Sequence, residues 1–280
     1  MRAEEKETAA TWQTMAALRE AELGNSGSVR QQVAAALALA PGRDVTVVAA
    51  LALARIGDSA QALKLADHLN LGFDCNEYPG DETLKVLRRT FSFSGYWLNN
   101  PPGASSNSWT GKRKVLQAVG FGFLLVFNGR TDAQIRSAGD ATKLGSSDGA
   151  LAVSSARAEG FSRATTIFLD QEEGGRLLPE QRAYLFGWLD AVASAGFRVG
   201  VYCSGIAFKE GSGSSIITAV DIQQNAGGRE LAYWVSNDAC PPSPGCAFPR
   251  KPPTLAESGV SFAEVWQFAQ SPRSGESGRR

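Results

Sequence analysis

Histidine is almost missing from this sequence. The single copy in 280 residues, His68, lies in the helix-like stretch ALKLADHLN. A lone imidazole on a helical stretch reads as a surface or interface residue, not as a triad base or part of a His-rich zinc site. Cysteine is scarce too: Cys75, Cys203, Cys240 and Cys246 lack the paired CxxC spacing of a zinc ribbon. Nothing else in the sequence calls for a metal or a cofactor. Cys240 and Cys246 flank PPSPG, a tight turn that either closes a small disulfide loop or leaves two thiols. A disulfide would point to an oxidising compartment. Long apolar runs are lacking: the best, VTVVAALALA, is bounded by Asp44 and Arg55 and falls short of the roughly 18 residues a membrane span needs. The charged start MRAEEKETAATWQTM has no signal-peptide apolar region, so, taken literally, the chain stays in the cytoplasm. Lys+Arg and Asp+Glu are both 28, so the basic excess of a nucleic-acid binder is also missing. What remains is 43% hydrophobic and 20% charged, enough to bury a core in one large domain or two small ones.

The texture changes near residue 70. Residues 1–70 are rich in Ala and Leu and read as helix throughout, with breaks at GNSG (24–27), APGRD (40–44) and GDS (57–59). ELGNSGSVRQQ resembles RIGDSAQALKL displaced by 33 residues, with Gly24 over Gly57 and Ser26 over Ser59. A helix–turn–helix repeat near 34 residues is the tetratricopeptide period, although Ala-rich helical hairpins of other ancestry share this look. In residues 71–280 short apolar strands alternate with helices, the pattern of a parallel α/β fold. Strands are expected at 71–75, 93–98, 121–128, 165–170, 197–203, 230–236 and 265–269. Helices are expected at 81–90, 111–120 with Thr110 as N-cap, 146–160, and 179–196 with Pro179 in its first turn. The expected fold class is α/β, a (β/α)8 TIM-like barrel over 71–280 preceded by a small all-α helical-repeat region over 1–70. The rival is a doubly wound open sheet, against which stands the absence of a glycine-rich phosphate loop after the first strand.

The stretch TTIFLDQEEGG (165–175) runs from a buried-looking strand into three carboxylates. Alternation places Ile167 and Leu169 on one face and Phe168, Asp170 and Glu172 on the other, and turns Glu173 away. In a barrel the second face leads to the mouth at the C-terminal ends of the strands, where active sites of this fold sit. LGFD repeats the device, with Asp74 at the end of its own strand. Paired carboxylates without histidine suit glycoside hydrolysis, in which one acid donates a proton and the other stays ionised. Crowding two carboxylates raises the pKa of one of them. Tyr96, Trp97, Trp109, Tyr202, Tyr233, Trp234 and Trp266 lie near strand ends, where rings stack on the apolar faces of sugars or fill the core.

LGFDCNEYPG, YWLNNPPG, GFGFLLVFNGR, TTIFLDQEEGGRLLPEQ, GFRVGVYCSG, YWVSNDAC and VWQFAQSP occur in an order that resembles the bacterial glycoside-hydrolase-like TIM-barrel family of the DUF1906 type, a relative of the family-25 lysozymes. The resemblance covers roughly residues 71–272, about two hundred residues. It implies Glu172 as proton donor, Asp170 as the residue that orients or stabilises the reacting sugar, and Asp74 as their support. Of the aromatics near strand ends, Tyr96, Trp97, Tyr202, Trp234 and Trp266 are the expected sugar contacts. The lysozymes also use an acid on the last strand; none stands out here, and Asp238 is a substitute. Members of the family are often exported. The first expectation is therefore a glycosidase on β-linked amino-sugar polymers such as peptidoglycan, with a polysaccharide as partner. The second is a carbohydrate-binding barrel without turnover. The third is an interaction protein whose helices, through ATWQTMAALREAEL, dock a protein partner.

Overall fold

The computed structural model describes residues 3–39, 43–58, 61–62, 71–211, 213–238 and 253–269. His68, Cys240 and Cys246 lie outside them, so the disulfide expectation does too. By their contacts these residues form two units. One holds the residues up to Tyr96 with Ser108–Leu124, the other Trp97–Asn107 with the residues from Leu125 on.

The first unit begins with three helices, α1 (Ala3–Glu22), α2 (Ser26–Leu39) and α3 (Arg43–Arg55). The 33-residue displacement seen in the sequence returns as a repeated hydrogen-bond pattern. After α1, Gly24 N–H donates to Ala21 O and Asn25 N–H to Glu20 O; after α3, Gly57 N–H donates to Ala54 O and Asp58 N–H to Leu53 O. The glycines sit at φ 77° and 78°, the left-handed cap that other residues adopt only under strain. Val29 and Ala62 then bond to Asn25 O and Asp58 O at equivalent steps. Ala17, Val29, Val33, Ala49, Ala52, Leu53 and Ala62 make one core between these helices. This unit also carries β1 (Gly72–Phe73), α4 (Asp81–Leu87) and α5 (Arg113–Val119).

The strands named so far and those that follow are β2 (Phe93–Trp97), β3 (Gly122–Asn128), β4 (Thr166–Asp170), β5 (Arg198–Ser204), the hairpin β6 (Ala207–Glu210) and β7 (Ser214–Ile217), then β8 (Ala232–Ser236) and β9 (Val265–Gln267). Seven of them form one sheet in the order β1-β2-β3-β4-β5-β8-β9, and its described ladders are all parallel. The order runs one way, strand after strand, with no point at which it reverses. A doubly wound sheet must reverse, so the fold class is the α/β TIM-like barrel, with N-terminal helices in front. All seven expected strands are present. The hairpin and two short helices, α6 (Asp132–Ser137) and α9 (Thr218–Gln224), were not expected. Neither was the early start of α7 (Ala141–Ala158), whose N-cap is Asp140, its carboxylate accepting from Lys143 N–H at 2.9 Å. The N-cap of α5 is Lys112, not Thr110.

Helix α8 (Pro179–Ser194) starts at its proline as expected. It lies against α7, and the Phe127 ring of β3 meets Trp188 of α8 at 6.1 Å. Odd-numbered residues of β3 and β4 thus face the helices, and even-numbered ones the opposite, inner face. Buried Asp148 of α7 is fully engaged: Arg130 donates to both of its oxygens, at 2.7 and 3.0 Å, and the Tyr184 hydroxyl to one at 2.9 Å. Burial, reinforced by that carboxylate, raises the Tyr184 phenol well above its ordinary value, so it remains a donor.

Candidate active site

Register builds the inner face of the second unit. Asn128 of β3 is level with Asp170 of β4, Asp170 with Tyr202 of β5, and Tyr202 with Trp234 of β8. One step lower, Phe168 is level with Gly200 and Gly200 with Ala232. The glycine is required there: a Cβ on Gly200 would lie 2.5 Å from Phe168 Cδ1. Through that gap the Phe168 ring reaches Trp234, edge to face at 5.7 Å, and Trp234 meets Tyr202 at 5.2 Å. Gly200→Ala is expected to push Phe168 off this contact and cost about 1–3 kcal/mol. A shifted near-ultraviolet circular dichroism band and a lower denaturation midpoint would register it, and an unchanged band would contradict the packing described.

Asp170 closes β4 with its carboxyl oxygens shielded from solvent, and the residue is 4% exposed. The strand ends there, so alternation does not set the direction of Glu172. A loop does. Gln171 N–H donates to Tyr202 O at 2.9 Å. On the other side, the Glu173 carboxylate accepts from Asp132 N–H, the first amide of α6, at 3.2 and 3.0 Å, and from the Gln181 amide of α8. Glu172 is thus an exposed side chain on a backbone held at both neighbours. Further on, Leu177 N–H donates to the fully buried Asp221 carboxylate at 3.0 Å. Arg176 pairs with Asp221 and, at 2.9 Å through two nitrogens, with Glu210 of the hairpin. The Arg176 guanidinium holds Glu210 below the usual carboxylate range. A cavity of about 920 Å³ borders the same loop, walled by Leu177, Leu178, Phe186 and Phe208 beside Arg176 and Lys209. Neither Asp170 nor Glu172 lines it.

The structure separates the other expected residues by role. Asp74 follows the last residue of β1 and is half-buried. Burial first, then the charges of Asp74 and Glu77, push the Cys75 thiol up to about 12, so it is not a nucleophile near neutral pH. Tyr96 is a core residue: it is fully buried, donates its hydroxyl to Trp109 O at 2.7 Å, and has no surface for a ligand. Trp97 closes β2 and is buried. Trp266 is level with Val235, on the face opposite Trp234, and its indole donates to Asn237 O at 2.9 Å. Asp238 is half-buried just beyond β8. Two residues of the inner face were missed in the sequence. Asn128 ends β3 beside Asp170, and Gln267 ends β9, where its side-chain oxygen accepts from the Tyr202 hydroxyl at 2.7 Å. Both are final polar residues of apolar strands, the same signal that marked Asp170. The last strand thus ends in an amide where the lysozyme resemblance implies an acid.

Residues 94–239 match the Rv2525c-like, glycoside hydrolase-like domain family. The chain belongs to that family. The match spans β2 to the residues after β8 and includes Asp170 and Glu172. Among solved structures the chain is similar to an uncharacterized B. stearothermophilus protein, at 17% identity and a TM-score of 0.47, with 71% of this chain and 89% of that one covered. No curated protein matches the sequence.

Proposed function

We propose that this glycoside hydrolase-like domain cleaves β-linked amino-sugar polymers, with peptidoglycan as the substrate class. The observation that carries this reading is the placing of two carboxylates two residues apart where β4 ends: Asp170 on the inner face, level with Tyr202, and Glu172 exposed on an anchored loop. In the proposed reaction Glu172 gives its proton to the leaving glycosidic oxygen. Asp170 orients the reacting sugar and stabilises the positive charge that develops on it, directly or through a participating acetyl group of the substrate, and a water molecule completes the hydrolysis. Asp74, by family resemblance, supports the pair. Half-buried Tyr202, backed by the buried Trp234 ring, gives the sugar an aromatic wall.

The second reading, a wall-binding barrel without turnover, is favoured by one observation, the Gln267 amide at the end of β9. An amide can hold a sugar hydroxyl but cannot act as acid or base. Zymography of the full chain on bacterial cell walls, paired with pull-down on insoluble wall material, decides between them. Clearing of the wall supports the enzyme. Binding without clearing establishes the second reading, and the absence of both clearing and binding would withdraw both readings.

A further inference from the structure

The N-terminal helices use two faces, and each occurs once buried and once open. Displacing α1 by 33 residues sets Trp12 on Val45, Met15 on Val48, Ala16 on Ala49 and Leu23 on Ile56. On α3 this face is covered by the preceding repeat: Val45 is 4% exposed against Ala10 and Ala36, while Ala49 and Ile56 pack with Ala17 and Val33. On α1 the same face is open among the described residues, with Trp12 72% and Met15 57% exposed. The opposite face shows the converse. Thr14 and Ala17 are buried on α1, and Leu18 and Ala21 are partly so; their equivalents on α3 are Val47, Ala50, Leu51 and Ala54, of which Leu51 is 53% exposed. The two open faces are therefore the two halves of the contact that α1 and α3 already make with each other.

We infer that the Trp12/Met15 face of α1 docks on the Val47/Leu51 face of α3 in a second copy of this chain, head to tail, continuing the internal stacking. Stacked repeats propagate in this way because each unit covers only its neighbour. Charge agrees with the register. Within the chain Glu22 pairs with Arg55 at 3.2 Å, and these residues are equivalent positions of successive repeats. One step further, Arg55 of one copy meets Glu22 of the next, again opposite in sign. Arg19 and Glu20 stand on α1 where α3 has Ala52 and Leu53. The contact between copies is thus more polar than the internal one, the composition of a reversible interface. It is heterologous, so it does not close on two copies. The inference is independent of the glycosidase reading.

Sedimentation of the full chain tests it. Over about 1–100 µM, the range of a weak interface, the weight-average mass is expected to climb past twice the 29.7 kDa protomer. Trp12→Glu and Leu51→Glu, both at exposed positions, should each remain monomeric, with circular dichroism unchanged. Mixed in equal amounts they should form a dimer and nothing larger, because the mixture keeps one intact face of each kind. Trp12→Ala and Leu51→Ala repeat the test if a buried charge disturbs folding. A wild-type chain that stays monomeric, a Leu51→Glu chain that dimerises alone, or a mixture that does not pair would each overturn the inference.

Discussion

Glu172→Gln is expected to lower cell-wall turnover by roughly 10²–10⁴-fold, the contribution of a positioned general acid, with wall binding retained. The amide keeps the shape and hydrogen-bonding capacity of the side chain and loses only the proton it would deliver. Because Glu172 is exposed and its loop is anchored through Gln171 and Glu173, the substitution should leave stability unchanged, so a loss of rate cannot be assigned to unfolding. Glu173→Gln is the informative control. Its carboxylate holds the first amide of α6 and the Gln181 side chain, and a glutamine oxygen can keep part of that. The expected cost is on the order of 1 kcal/mol of stability, with turnover far above that of Glu172→Gln. Steady-state rates on solubilised wall fragments, with thermal denaturation of both variants, check the ordering. If Glu173→Gln is the slower enzyme, the proton donor has been misassigned.

The largest expected loss of stability comes from a methyl group. Gly145 of α7 and Gly187 of α8 sit where the two helices touch. A Cβ on Gly145 would lie 2.1 Å from Tyr184 O, and one on Gly187 would lie 2.5 Å from Thr142 O. In an exposed helix interior Gly→Ala gains about 1 kcal/mol. Here the new atom meets backbone of the partner helix, which cannot rotate aside as a side chain can. The helices must part, loosening Trp188, Tyr184 and the Asp148 network between them. Gly145→Ala and Gly187→Ala should each cost about 2–3 kcal/mol net, a fall of roughly 5–10 °C in midpoint for a domain of this size. Gly27 of α2 supplies the contrast: a Cβ there meets nothing within 4 Å, so Gly27→Ala should be neutral or stabilising. Scanning calorimetry of the three variants tests the opposite signs, and a stabilised Gly145→Ala would contradict the close helix contact.

The same glycines show where local reading of the sequence ends. The helix was expected to begin at Ser146, which leaves Leu144 and Gly145 outside it, and glycine opposes helix by propensity. The structure runs α7 through them from Ala141, since contact with α8 outweighs that preference and uses the missing side chains for close approach. Asp170 was legible because period-two alternation and an apolar run determine both its strand and its face. Glu172 was placed on that face by extending the alternation two residues too far; the loop that holds it depends on Asp132, Gln181 and Tyr202, distant in sequence and joined only by folding. Asn128 and Gln267 escaped notice for a related reason. A single polar residue ending a strand has no meaning until register sets it beside Asp170 or Tyr202. The hairpin and α9 were missed because they are short and lack a clear period, and their order depends on contacts such as Arg176 with Glu210 and Asp221. The sequence by itself determined the seven strands, the 33-residue helical repeat and the carboxylate pair, because each rests on local pattern. The one-way order of the sheet, the inner-face neighbours of Asp170 and the anchored loop of Glu172 were decided by tertiary structure, because each is a relation between segments that only packing and register bring together.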